Sequence, residues 1–328
     1  MGREAPVSRG ARAAGPRFGL CCQFLDAPIR FRTATHRYVA GLEPNVARRY
    51  LAGIASDNAA ALHFAVERCH ALGIGGFRAT SQILPLGTHP ESGYTIASLD
   101  RHGVIRDSFR AAGARARELG VRLSFHPDQF VVLNSEREAV VAASVAELEF
   151  QAQVAELIGA DVLVLHGGGT AGGMAAALER LTRGIDRLGE RARSRLALEN
   201  DDRHFAPLDL LPLCERLGVP LVYDVHHHRC RPDGLTTDEA TDRAAATWRG
   251  REPYAHVSSP RDGWEARDPK PHADYIDPAD FPESWLRRVM TIDVEAKAKE
   301  RAVVRLMEDL RAIRGNAARA VARAAASD

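Results

Sequence analysis

Six short apolar runs in this 328-residue chain each stop on a side chain able to bind a metal: RLSFH at His126, VLVLH at His166, RLALE at Glu199, LVYD at Asp224, YAH at His256 and VMTIDVE at Glu295. An apolar β-run ending on such a residue reads as a barrel strand that delivers a ligand to the barrel's mouth. Successive ligands stand 40, 33, 25, 32 and 39 residues apart, which leaves room for a loop and a helix between parallel strands. Three further histidines join them. His89 and His126 both precede proline, in THPE and FHPD, and a residue before proline is pushed toward extended geometry. His227 follows Asp224 at D-x-x-H spacing, while His226 and His228 of the same HHH run are assigned to support or to solvent. His272 lies in the last long loop and completes a set of nine.

Imidazoles and carboxylates without thiolate suit zinc, manganese or a similar borderline ion and argue against a calcium cage. Nine ligands exceed what one tetrahedral ion needs, so two or three ions bridged by the carboxylate of Glu199 fit the count better. Such a cluster clamps the attacking and leaving oxygens of a phosphoryl displacement. Phosphodiester hydrolysis is therefore favoured over redox chemistry, with Glu199, Asp224, His256 and Glu295 as the catalytic candidates. The run HGGGTAGG at 166–173 reads equally as a phosphate cradle or as a tight turn beside His166, because it lacks the Lys-Ser/Thr of a P-loop.

Positioning these residues takes eight strands, expected at Phe18–Phe24, Gly75–Thr80, Arg122–His126, Val162–His166, Arg195–Glu199, Leu221–Asp224, Ala255–Ser258 and Val289–Val294. Between them, apolar residues recur at helical spacing in Val46–Leu72, Ile105–Leu119, Ala139–Ile158, Met174–Arg191, Leu208–Leu217 and Thr237–Trp248. Gly120, Gly159 and Gly218 stand where left-handed helix caps need glycine. The alternation predicts an α/β fold, a TIM (β/α)8 barrel forming a single domain over residues 17–300. A disordered leader is expected over 1–16, and a helix with a frayed tail over 301–328. The proline-broken segment 259–283 reads as a functional loop over the mouth.

Composition narrows little else. Net charge is +1, from 44 basic and 43 acidic residues, so it neither supports nor excludes a nucleic-acid partner. Five cysteines, none in a C-x-x-C pair, suit a reducing compartment and exclude a disulfide framework or zinc ribbon. There is no membrane-length apolar run and no secretory signal, so a cytoplasmic monomer is expected.

The ordered set FRATSQILPLGTHP (77–90), RLSFHPDQFVVLNS (122–135), LVLHGGG (163–169), LALENDD (196–202), LVYDVHHH (221–228), HVSSPRDG (256–263), HADYI (272–276) and DVEAKAKE (293–300) resembles the UV damage endonucleases of the UvdE type. The resemblance spans about Phe18 to Glu300. It implies a TIM barrel with a cluster of divalent ions, manganese first and zinc or cobalt as alternatives. It implies incision of damaged double-stranded DNA immediately 5′ to a photoproduct or related lesion. By position it carries the ligand role onto His89, His126, His166, Glu199, Asp224, His227, His256, His272 and Glu295. It also gives Gln129 and Phe130 the role of probing the stack where damaged nucleotides flip out, with Phe130 in place of the usual tyrosine; the competing reading has Phe130 begin a buried FVVL run. Asn200, beside Glu199, is assigned to DNA binding with them. Two departures stand out: Leu20 where the family tends to have tyrosine, and Tyr254 where members usually carry a lysine that can be carboxylated near the metals. An apurinic-site endonuclease or a sugar isomerase on the same barrel, or a non-cutting damage-binding protein, are the alternatives.

Overall fold

The computed structural model describes residues 15–325, with side chains through residue 316. Eight parallel strands close into a barrel in sequence order. The first half runs β1 (Arg17–Cys21), α1 (His36–Ala40), α2 (Pro44–Ala71), β2 (Gly76–Ala79), α3 (Ile96–Leu99), α4 (Val104–Glu118), β3 (Arg122–Phe125), α5 (Glu138–Ile158) and β4 (Val162–His166). The second runs α6 (Met174–Asp186), α7 (Glu190–Arg193), β5 (Leu196–Glu199), α8 (Pro207–Leu217), β6 (Leu221–Asp224), α9 (Val225–Cys230), α10 (Thr237–Thr247), β7 (Tyr254–Val257), β8 (Thr291–Val294) and α11 (Lys299–Ala325). Pro44 opens α2, where its missing N–H costs nothing. Gly159 and Gly218 close α5 and α8 in the left-handed region, as the sequence predicts.

Period-two alternation in the strands separates two cores. Leu163, Leu165, Leu196, Leu198, Ile292 and Val294 face outward into the large core shared with the helices. Val162, Val164, Ala197, Val222 and Tyr254 form a separate inner cluster with Trp248. One more step of two along β4, β5, β6 and β7 reaches His166, Glu199, Asp224 and His256 in turn. The ligand layer therefore stacks directly on the inner apolar layer, as layered barrels require.

Two expectations concern the ends. The leader lies almost wholly in residues 1–14, outside the described residues. The C-terminal helix is α11, which runs to Ala325 across an alanine- and arginine-rich stretch of strong helix formers, and the last three residues of the expected tail lie outside the described residues. No described helix is long and apolar enough to cross a membrane.

Candidate metal centre

Strand register sets the site. His166 pairs with Glu199 between β4 and β5, Asp224 with His256 between β6 and β7, and His256 with Asp293 between β7 and β8. Cross-strand neighbours of parallel strands lie about 4.8 Å apart, so the pairing alone brings these heads within reach of shared ions. His126 follows β3 and Glu295 follows β8 by one residue. His256 lies one residue inside its strand, fully buried, and not at the strand's end as its run suggests.

Glu199 is the hub. His126 Nε2 donates to its Oε2 at 2.9 Å and His256 Nδ1 to its Oε1 at 2.9 Å. His166 Nε2 stands 3.4 Å from Oε2, and His227 Nδ1 3.4 Å from Oε1. Three sets of ligand atoms each lie within 4.8 Å of one another: His126–His166–Glu199, Glu199–Asp224–His227 and Asp224–His256–Glu295. Two of the sets share Glu199 and two share Asp224, so the groups form a chain of adjoining sites. Asp224 Oδ2 is buried without a hydrogen-bond partner, and an uncompensated buried carboxylate oxygen is costly. A cation there would satisfy it, so the residues fit a bound divalent ion. His272 Nδ1 reaches the edge of the group, 3.6 Å from Glu295 Oε2.

Loops complete the mouth. Asp128 accepts the Phe130 N–H through its side chain (3.1 Å) and the Val131 N–H through its carbonyl (2.9 Å), an Asx turn that throws Gln129 and Phe130 outward. Phe130 is 77% exposed. The buried-run reading therefore fails for it, although Leu133 three residues on is core. In the 259–283 loop, buried Asp280 accepts Ser259 Oγ at 2.5 Å and Trp264 Nε1 at 2.7 Å. A bridge between Pro260 and His272 then presents His272 to Glu295. His226 and His228 are both buried, so neither serves solvent. His226 packs edge-on against His272, and His228 is pinned between Tyr223 and Asp233. The glycine run serves packing and turns. A Cβ at Gly167 would meet Phe205 at 2.6 Å, and one at Gly168, whose φ is +84°, would meet Asn134 at 2.2 Å.

Charge follows the geometry. Burial pushes the Glu199 carboxyl up, but His256 and His166, with the His126 and His227 hydrogen bonds, together hold it well below the usual range. Burial likewise disfavours protonated His256, yet Glu199 and Glu295 raise it to about 9. His227 is raised well above its ordinary value by Asp224 and Glu199 against the same burial. Burial lowers His166, against the pull of Glu199. For Glu295, burial is overcome by Arg78 and His256, and the carboxyl is lowered. An imidazole must be neutral to bind a metal, so ions must displace the protons of His227 and His256. Binding of a divalent ion at pH 7 is expected to release protons, with affinity rising about tenfold per pH unit per displaced proton until pH passes about 9 for His256. Calorimetry in buffers of different ionisation enthalpy measures this. A heat independent of buffer would contradict it.

Three of the residues singled out in the sequence have other surroundings in the structure. His89 joins none of the ligand groups among the described residues: its Nδ1 accepts the Glu91 and Ser92 N–H groups at 3.2 Å and its ring stacks on His36 at 4.2 Å. The proline rule governs local extension, while the path of the loop after β2 decides where the ring ends up. Asn200 is fully buried, and its amide bonds both the N–H and the C=O of Asp224, at 3.0 and 2.9 Å. It clamps β5 to β6. Tyr254 is buried, bonded to Ser124 Oγ and donating to Asp293 Oδ1, both at 2.9 Å. Burial, with Asp293 beside it, drives its pKa far up, so it stays a neutral phenol and not a phenolate ligand. Sequence reading also passed over Arg78 and Asp293. Arg78 Nη1 donates to Glu295 Oε1 at 2.6 Å, and Asp293 is fully buried. Burial raises the Asp293 carboxyl, with Arg78 and His256 opposing. A charged residue inside the strand GFRA, and one two positions before Glu295, were the available signals.

A family model described as UV-endonuclease UvdE matches residues 16–324. The UV DNA damage endonuclease of Deinococcus radiodurans is 36% identical over 305 residues, covering 89% of this chain and 95% of its own length. That of Bacillus velezensis is 34% identical over 255 residues, covering 74% and 77%. The crystal structure of SacUVDE superposes with a TM-score of 0.81 at 25% identity, covering 91% of this chain and 99% of that one. Endonuclease IV from Thermus thermophilus, at 19% identity and a TM-score of 0.56 over 90% of this chain and 98% of that one, shares the fold.

Proposed function

The chain belongs to the UV-endonuclease UvdE family, the UV-damage endonucleases of DNA repair, and from that premise we propose that it hydrolyses the phosphodiester immediately 5′ to a UV photoproduct or related lesion, leaving 3′-hydroxyl and 5′-phosphate ends. The observation that carries this reading is the chain of ligand groups joined by Glu199 and Asp224 at the barrel's mouth. It supports two or three divalent ions, manganese first, held by His126, His166, Glu199, Asp224, His227, His256 and Glu295, with His272 at the edge. Ions held there would supply Lewis-acid neutralisation of charge on the phosphate.

The protein's own part is orientation. Glu199 holds four imidazoles in one array, and Asn200 fixes the backbone of Asp224 from behind. Gln129 and Phe130 stand out on their Asx turn to occupy the space left by flipped nucleotides, a use that suits an exposed aromatic ring. The reading includes a monomer acting in the cytoplasm.

Incision assays on duplexes carrying defined lesions, run with manganese, zinc, magnesium and cobalt, test it. A cut immediately 5′ to the lesion that disappears on chelation is expected. Tight binding to damaged duplex without a cut under every metal would replace the reading with a damage-binding protein. Turnover of a keto sugar with none on DNA would replace it with an isomerase.

A further inference from the structure

Beneath the ligand layer three buried polar atoms without hydrogen-bond partners face one another: Arg78 Nε, Asp293 Oδ2 and His256 Nε2. Asp293 Oδ2 stands 3.7 Å from Arg78 Nε and 4.0 Å from His256 Nε2, both beyond hydrogen-bond range. The two nitrogens of His256 thus have different tasks. Nδ1 faces the ligand carboxylates, at 2.9 Å from Glu199, 3.5 Å from Glu295 and 3.8 Å from Asp224. Nε2 faces Asp293. A carboxylate on the far nitrogen of a metal-binding histidine fixes its tautomer and ring orientation.

Asp293 is itself held through one oxygen and closely enclosed around it. The Tyr254 hydroxyl donates to Oδ1 at 2.9 Å and is in turn bonded to Ser124. Gly19, its register partner on β1, leaves room for the carboxylate, since a Cβ there would stand 2.1 Å from Oδ1. The Arg78 fork addresses Asp293 through Nε while Nη1 holds Glu295 Oε1 at 2.6 Å. A lysine, with one point charge, could not hold both carboxylates in this way.

Resting on the metal-centre reading above, we propose that Asp293 is the positioning residue for His256 and that Arg78 couples it to Glu295, so that this buried pair sets the geometry of the ion-binding group formed by Asp224, His256 and Glu295. A plain structural ion pair is the competing account. Asp293→Asn separates the two, because the amide keeps an acceptor for Tyr254 and removes the charge that faces His256.

The experiment uses the full chain loaded with Co2+ for absorption spectra and titrated with Mn2+ for affinity. The visible bands of the Co2+ protein are expected to shift in Asp293→Asn. One Mn2+ affinity should fall about tenfold, the lower end for loss of a supporting carboxylate because Nε2 is 4.0 Å away. Arg78→Lys should shift the same bands. An Asp293→Asn protein with the parent's Co2+ spectrum and Mn2+ titration overturns the proposal. Should that variant not fold, Arg78→Lys decides by the same two measurements. A parent protein that takes up neither ion would overturn the metal-centre reading as well, a result distinct from a parent that binds both while the variants match it.

Discussion

Glu199→Gln is expected to abolish most metal uptake and, with it, incision. The substitution keeps volume and one carbonyl oxygen, yet removes the negative charge on which His126, His166, His227 and His256 converge. Two of the three ligand groups contain Glu199, so two groups lose a carboxylate at once, and the group with His126 and His166 loses its only one. Several kcal/mol of charge stabilisation depend on ions held this way, which corresponds to a rate loss of about 1,000-fold or more. The barrel should stay folded, since the amide still offers an acceptor on one side. Elemental analysis, incision rate and a melting curve measured on the same preparation check this. Parental metal content with parental turnover would remove Glu199 from the centre.

The double change Gln129→Ala and Phe130→Ala should leave metal content and melting temperature unchanged while lowering the preference for damaged over intact duplex. Neither side chain is a ligand, and Phe130, at 77% exposure, contributes nothing to the core. Stacking against a base is worth roughly 1–3 kcal/mol. Loss of both probes should therefore reduce discrimination by about 30-fold or more. Competition between lesion-bearing and intact duplexes measures it. Unchanged discrimination in a folded, metal-loaded variant would show that the exposed turn serves something other than probing. A drop in metal content would mean that the loop supports His126, three residues before Gln129.

How much of this was legible in the sequence differs from residue to residue. The strands and most of the residues that meet at the mouth were readable because a barrel strand alternates faces with period two. An apolar run ending on His166, Glu199 or Asp224 therefore carries both the strand and the direction of its last side chain. The run YAH stops on His256, yet the strand expected at Ala255–Ser258 already carried it inside, where β7 has it. Arg78 and Asp293 were missed because a charge inside a strand becomes informative only when its inward face is known.

By itself the sequence determined the barrel and its eight strands, which follow from local periodicity and residue type, while the family followed from the resemblance of its ordered motifs. Only the tertiary structure decided which candidates meet. Register across β4–β8 placed His166, Glu199, Asp224, His256 and Asp293 on neighbouring strands. Loop paths carried His89 onto His36 and brought His272 to Glu295. Burial turned Asn200 into a clamp and Tyr254 into a hydrogen-bonded phenol. The physical reason is that residue type and spacing fix what a side chain can do, whereas partnership depends on contacts between segments far apart in the chain, which closure of the barrel alone creates.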